Sequence, residues 1–141
     1  MPKVSNKRTV NYPINDIFHA VLDVEAYPKA LAFVREVKIL NRQEEEVMAR
    51  VFVGLPALNF SYDCRITYQT PEHIDIVMIK GPFKRLNASW QFKSLNAKQT
   101  EILYSLDSKF SNPLMEMTAG AIFASQLNQS INAFEDYLRK A

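Results

Sequence analysis

The sequence holds few residues of the kind that carry catalysis or bind a metal ion. His19 lies beside the apolar side of a predicted helix, and His73 lies in a Thr-Pro-Glu-His turn. Neither has a neighbouring cysteine or a patterned carboxylate partner, whereas a zinc site needs three or four converging ligands. Cys64 falls on the apolar face of a predicted strand, where a free thiol behaves as a small hydrophobe. We therefore predict no catalytic residue, no metal site and no cofactor, and we expect that the protein is not an enzyme.

Aromatic side chains at alternate positions are the more informative group. In the segment LNFSYDCRITY the apolar residues recur at every second position, which is typical of a strand with one buried face. The same alternation in FKRLNASWQF and TEILYSLDSKF adds further members to that face. Residues expected on it include Phe60, Tyr62, Tyr68, Leu86, Ala88, Trp90, Phe92 and Tyr104. Such a face either packs a core or lines a pocket, in which tyrosine hydroxyls can bind a ligand carbonyl.

Length and composition bound the class of protein. The chain has 141 residues, 48% of them hydrophobic, and a formal net charge of +2, which predicts one domain, residues 1–141, and no DNA partner. A single cysteine excludes an intramolecular disulfide, and no apolar run approaches the roughly 18 residues of a membrane span. The N-terminal residues lack the apolar stretch of a secretory signal. We expect a cytoplasmic protein, with peripheral contact to the inner membrane as an alternative.

The predicted elements follow the order strand, helix, short helix, about six strands, long helix. Residues 3–12 form the first strand, and a helix begins at Pro13 and ends near residues 23–26, because Pro28 disfavours helical backbone at Tyr27. A short helix covers residues 28–32, and strand-like segments fill residues 34–110. The last helix runs from Pro113 to about Arg139. This order predicts an α+β fold, in which a curved antiparallel sheet of six or seven strands wraps around the C-terminal helix.

Three segments, VLDVEAYPKAL, GPFKRLNASWQF and FSNPLMEMTAGAIFASQLNQSINAF, resemble the coenzyme Q-binding START-domain family. That family includes RatA-type ribosome association toxins and is part of the polyketide cyclase/START-like (SRPBCC) superfamily. The resemblance covers the chain from about Arg8 to Ala141 and implies a helix-grip fold around a hydrophobic tunnel. One segment departs from the family pattern. Relatives usually continue after Tyr-Pro with an aromatic residue, Leu, Pro, Trp and Cys, where this chain has residues 30–34, ALAFV.

The resemblance also implies where a ligand would bind. The expected ligand-binding residues are Phe60, Tyr62, Tyr68, Leu86, Trp90, Phe92 and Tyr104 on the sheet, Met117 and Ala121 on the last helix, and Tyr27, Pro28 and Leu31 at the pocket mouth. Small residues and methionines on the last helix leave room above the sheet or fill it closely, and both alternatives stay open.

Three functions are consistent with these residues. The first is non-enzymatic binding of a hydrophobic ligand, a polyprenyl quinone of the ubiquinone type, by a carrier or chaperone in respiration or quinone synthesis. The second is ribosome association through the large subunit. The third is a polyketide cyclase or dehydratase, which needs acid–base groups in the pocket, whereas Asp63, Glu101 and Asp107 are expected on the opposite face. A basic rim that includes Lys80, Lys84 and Arg85 can meet anionic lipid, ribosomal RNA or only solvent.

Overall fold

Seven β-strands form one curved antiparallel sheet in the computed structural model, which describes residues 3–56 and 58–140. The strand order is β1-β7-β6-β5-β4-β3-β2, so β2 to β7 follow one another as hairpins and β1 pairs with β7 at the other edge. The bounds are β1 Lys3–Val10, β2 Val34–Gln43, β3 Glu46–Leu55, β4 Leu58–Gln69, β5 His73–Lys80, β6 Phe83–Asn96 and β7 Gln99–Phe110.

Two helical regions cover the concave face of this sheet. Between β1 and β2 lie α1 (Ile14–Leu22), a 3-10 turn (Val24–Ala26) and α2 (Tyr27–Ala30). After β7, the C-terminal helix consists of α3 (Pro113–Met115), a π-helical segment (Glu116–Gly120), α4 (Ala121–Asn128) and α5 (Ser130–Lys140). The Asn112 side chain caps its start by accepting hydrogen bonds from the main-chain N–H groups of Leu114 and Met115. The predicted helix-grip architecture is confirmed.

The buried face of the sheet follows the predicted alternation. On β3, Val47, Ala49, Val51 and Val53 are all buried. The ring of Phe52 faces the outer side, where the Lys38 ammonium group lies 5.4 Å from its centre. Because side chains alternate between faces with a period of two, one correct position on a strand fixes the direction of all the others.

Two details of the helices differ from the sequence-based prediction. Tyr27 has helical backbone angles, φ −54° and ψ −39°, although Pro28 disfavours them. The Tyr27 side chain is buried, and its hydroxyl donates a 2.6 Å hydrogen bond to the Val21 carbonyl, which outweighs the local preference. The long C-terminal helix is interrupted at Gln129, whose ψ of 3° separates α4 from α5.

Packed aromatic rings form two clusters in the core. One lies where β5 turns into β6, and there the Phe83 and Phe110 rings stack at 4.4 Å and Phe123 of α4 lies 5.1 Å from Phe83. In the other, the Trp90 ring lies 4.6 Å from Tyr104 and 5.8 Å from Phe134 of α5. None of the helices within the described residues is long and apolar enough to cross a lipid bilayer.

Candidate functional site

A small chamber lies between the sheet and the C-terminal helix. Its volume is about 40 Å³, and since one water needs roughly 10–15 Å³ of such space, it has room for only a few water molecules. The residues that line it are Tyr27, Leu31, Phe33, Val34, Tyr62, Ile76, Leu86, Ala88, Trp90, Tyr104, Leu127, Ser130 and Phe134. The aromatic face of the sheet is therefore mostly a packed core, with one small apolar space left inside it.

An open groove of about 430 Å³ lies outside this chamber, between residues 29–33 and the C-terminal helix. We call residues 29–33 the lid segment. Leu31 and Phe33 line both spaces, so their side chains form the wall between the groove and the chamber. Both side chains are buried, whereas Ala32 between them is exposed. The groove has a mixed lining of polar and apolar side chains, so the two shared side chains separate it from an apolar interior.

Main-chain hydrogen bonds hold the lid segment at its two ends. The Leu31 N–H donates to the Tyr27 carbonyl at 2.7 Å, and the Gly54 N–H donates to the Phe33 carbonyl at 2.9 Å. The second bond ties the lid segment to the end of β3. The Phe33 ring also packs edge-on against Phe123, with 6.3 Å between ring centres. Opening the wall would therefore require movement of this short segment and loss of its hydrogen bond to β3.

Polar groups in the chamber come mainly from three tyrosines and one serine. Burial raises the pKa values of the Tyr27, Tyr62 and Tyr104 hydroxyls well above the usual tyrosine range, and for Tyr104 the Ser130 side chain opposes this rise by hydrogen bonding. These hydroxyls stay neutral and can donate hydrogen bonds. Tyr62 lines the chamber, and its neutral hydroxyl is a group that can donate a hydrogen bond to a carbonyl of a bound molecule.

The Gly81-Pro82 turn between β5 and β6 positions Tyr62. A Cβ atom on Gly81 would lie 2.6 Å from the Tyr62 Cβ, so only glycine allows the turn to approach this closely. The Pro82 carbonyl accepts a 2.9 Å hydrogen bond from the Ser111 N–H, which ties the turn to the start of the C-terminal helix. The turn therefore connects the chamber wall and the C-terminal helix.

The structure brings half of the predicted ligand-binding residues together. Those that line the chamber are Tyr27, Leu31, Tyr62, Leu86, Trp90 and Tyr104. Others lie beyond it: Phe60 belongs to the Phe83 cluster, and Phe92 packs between Trp90 and Phe18. Tyr68 lines a surface groove together with His73, and the half-buried Pro28 is part of α2 without lining the chamber.

Met117 and Ala121 do not lie between the sheet and the helix, contrary to the expectation from the sequence. Both are exposed, and 82% of Met117 is accessible to solvent. The physical reason is the π-helical segment, whose wider turn leaves Ala119 and Gly120 facing the sheet instead.

Several lining residues were not predicted as binding residues. They are Phe33, Val34, Ile76, Ala88, Leu127, Ser130 and Phe134. Strand alternation marks Ile76 and Ala88 as inward-facing, and the three-and-four spacing marks Leu127 and Phe134 as buried, but neither pattern shows which buried residues adjoin a space.

Ionisable groups other than tyrosine lie away from the chamber. Asp63 accepts a 2.7 Å hydrogen bond from Arg50, which lowers its pKa, and Asp107 pairs with Arg85 at 3.3 Å. His73 pairs with Asp75 at 2.6 Å, so the statement that it lacks a carboxylate partner is wrong, because residues two apart on a strand share a face. Burial raises the pKa of the Cys64 thiol to about 12. The described residues contain no group of three or more metal-ligating side chains.

Comparison with known proteins agrees with this geometry. Residues 10–135 match the family described as polyketide cyclase / dehydrase and lipid transport, and the chain belongs to this family. Among curated proteins, the chain is similar to the ribosome association toxin RatA of Escherichia coli strain K12, with 28% identity over 134 residues, 95% of this chain and 85% of that protein.

A second relative has a different name. The mitochondrial coenzyme Q-binding protein COQ10 of Dictyostelium discoideum is 27% identical over 132 residues, which cover 91% of this chain and 64% of that protein. Among solved structures, the Zhui aromatase/cyclase from Streptomyces sp. R1128 superposes with a TM-score of 0.83 at 14% identity and covers 99% of this chain and 94% of its own. That likeness shows the shared fold. The resemblance predicted from the three sequence segments is confirmed.

Proposed function

We propose that this protein binds a long apolar ligand of the polyprenyl quinone class and acts as a non-enzymatic carrier. The observation that carries the proposal is the thin wall of Leu31 and Phe33 between the open groove and an apolar chamber with tyrosine hydroxyls. The relative named as a coenzyme Q-binding protein supports this ligand class. The absence of carboxylate and imidazole groups among the chamber-lining residues argues against polyketide cyclisation by acid–base catalysis.

Volume decides how such a ligand would enter. Ligand pockets in proteins are typically about 300–1,000 Å³, so a chamber of about 40 Å³ is closed to a quinone ring. The groove of about 430 Å³ already lies in this range, and displacement of the wall would join the apolar chamber to it as the inner end of one pocket. The ligand-bound form is therefore an open form, in which the lid segment has moved.

The energies of burial favour this exchange. Exposing the Leu31 and Phe33 side chains costs about 1.5–3 kcal/mol each. Burial of one isoprenyl unit, with five carbon atoms, contributes roughly 4 kcal/mol at about 0.8 kcal/mol per carbon. Two isoprenyl units thus offset the displaced wall, and each further unit adds to the affinity. The quinone ring would stack against Trp90 and accept a hydrogen bond from Tyr62.

Mass spectrometry of the natural cargo tests the proposal. The protein is purified from its own host without detergent, extracted with organic solvent and analysed for lipids. We expect a polyprenyl quinone in the extract at a stoichiometric fraction. A Leu86→Trp variant, whose larger side chain fills the chamber, provides the control and should yield much less. Finding no quinone or other prenyl lipid above the level in this variant would contradict the proposal.

Ribosome association is the second candidate, and one observation favours it. Relatives named ribosome association toxin RatA match 95% of this chain at 28% identity. In this case we expect the protein to co-sediment with large ribosomal subunits, and the binding should weaken with salt because contacts to RNA phosphates release counterions. Sedimentation only in the soluble fractions at low salt would exclude this function.

A further inference from the structure

The outer side of the first half of the C-terminal helix is uncharged. Between Ser111 and Phe134 the sequence contains one charged residue, Glu116, and its carboxylate accepts a 2.9 Å hydrogen bond from the Phe110 N–H. On the outer side Leu114 is 67% exposed and Met117 is 82% exposed. A helix on the surface of a soluble domain usually carries charged residues on its outer face. The uncharged outer side of this helix is therefore typical of a face that contacts another molecule or a lipid surface.

Two lysines flank the turn that lies against the start of this helix. The hydrogen bond between Ser111 and Pro82 places the start of the helix against the β5–β6 turn, and Lys80 and Lys84 flank that turn. Both lysines are exposed. The Lys80 ammonium group lies close enough to Asp63 to help lower the pKa of that carboxyl, whose hydrogen-bonded partner is Arg50. We call Lys80, Lys84, Leu114 and Met117 the docking surface. It combines protruding apolar tips with exposed positive charge at one end of the sheet.

We propose that the docking surface binds a lipid bilayer that contains anionic lipids. Leu114 and Met117 would enter the boundary between head groups and acyl chains, and the lysine ammonium groups would meet lipid phosphates. This combination of exposed apolar and basic residues is what interfacial binding requires. The proposal does not depend on the ligand of the chamber, because the surface lies on the outside of the helix.

Two other occupants fit the surface less well. A second copy of the chain would bring like-charged lysines together, and two large side chains are too few for the roughly 800 Å² per partner that a stable protein interface buries. RNA would satisfy the lysines, but it offers no apolar environment to Leu114 and Met117. A bilayer accommodates both kinds of side chain.

Flotation with lipid vesicles tests the docking surface. The full chain is mixed with vesicles of phosphatidylcholine and phosphatidylglycerol, and bound protein is measured after density centrifugation. The double variant Leu114→Glu/Met117→Glu should bind at least about tenfold more weakly, and its fold should persist because both sites are exposed. Lys80→Gln and Lys84→Gln should each weaken binding roughly fivefold on anionic vesicles only. Leu95→Glu is the matched control, since Leu95 is 46% exposed at the far end of β6, and it should bind like the unaltered protein.

Four outcomes would overturn the proposal. They are unchanged binding by the double variant, an equal loss in the Leu95→Glu control, equal binding of the unaltered protein to vesicles of phosphatidylcholine alone, and a dimer in analytical ultracentrifugation that the double variant dissociates. The last result would assign the surface to a second copy. Quinone content of the purified protein is measured separately, so failure of membrane docking and failure of quinone binding are distinguishable.

Discussion

Truncation of the lid wall by Leu31→Ala should speed ligand uptake while it lowers stability. Leu31 is buried and separates the outer groove from the chamber. Burial of a leucine side chain contributes about 1.5–3 kcal/mol. If a ligand must expose this side chain before it enters, its removal lowers the barrier to uptake by about 2 kcal/mol. Because about 1.4 kcal/mol corresponds to a factor of ten, the uptake rate should rise about 30-fold.

The stability cost follows from the same burial. Buried Leu→Ala substitutions typically cost about 2–5 kcal/mol, and we expect a value near the lower limit because the wall adjoins an open groove that can relax. Leu106→Ala is the matched control: Leu106 is equally well buried on β7 but does not line the chamber. It should lower the free energy of unfolding by a similar or larger amount without faster uptake.

Stopped-flow fluorescence measures the uptake rate. Trp90 is the one tryptophan of the chain and lines the chamber, so a short-chain quinone that enters should quench its emission. Denaturant unfolding of each variant gives the stability change. Equal uptake rates for Leu31→Ala and the unaltered protein, with the expected loss of stability, would show that the ligand does not pass the wall. Equal acceleration by Leu106→Ala would show that uptake follows global loosening.

Three further substitutions or conditions test the packing around the chamber. Gly81→Ala should cost about 1–3 kcal/mol of unfolding free energy, because the new Cβ atom would lie 2.6 Å from Tyr62. Gly54→Ala should cost less, because its Cβ atom meets only a flexible side chain. A larger loss for Gly54→Ala than for Gly81→Ala in denaturant unfolding would refute this. Tyr27→Phe loses a buried hydrogen bond and should cost about 0.5–1.5 kcal/mol by the same measurement, and no loss would contradict the bond. Burial raises the pKa of the Cys64 thiol from 9.0 to about 12, so the folded state keeps this proton to a higher pH than the unfolded state, and the free energy of unfolding should fall as the pH rises above about 9. A Cys64→Ala variant should show a shallower fall. An identical pH dependence of the unfolding free energy in both proteins would contradict the assignment.

The fold was predictable because its determinants are local. Period-2 alternation fixed the buried face of β3, β4, β6 and β7, and antiparallel hairpins between sequence neighbours leave few alternative pairings. The placement of Tyr27 was not predictable, because burial of its ring and a hydrogen bond from its hydroxyl override the local backbone preference. The break at Gln129 was not predictable because no glycine or proline marks it in the sequence.

The candidate site was predictable only in part. Tyr62, Trp90 and Tyr104 follow from strand alternation, since every inward side chain of a central strand faces the helix. Which inward residues adjoin a space depends on how the helix crosses the sheet, and alternation carries no information about that crossing. Met117 illustrates this: its spacing fits a buried helical face, but the π-helical segment turns it outward.

Equilibrium titration of Trp90 fluorescence with a short-chain ubiquinone analogue tests the central claim most directly. The chamber-filling variant Ala88→Leu is the comparison, because Ala88 lines a space of only about 40 Å³. We predict saturable quenching with one site per chain in the unaltered protein and strongly weakened quenching in a folded Ala88→Leu variant. Linear, unsaturable quenching of the unaltered protein, or identical saturable curves for both proteins, would contradict ligand binding in the chamber.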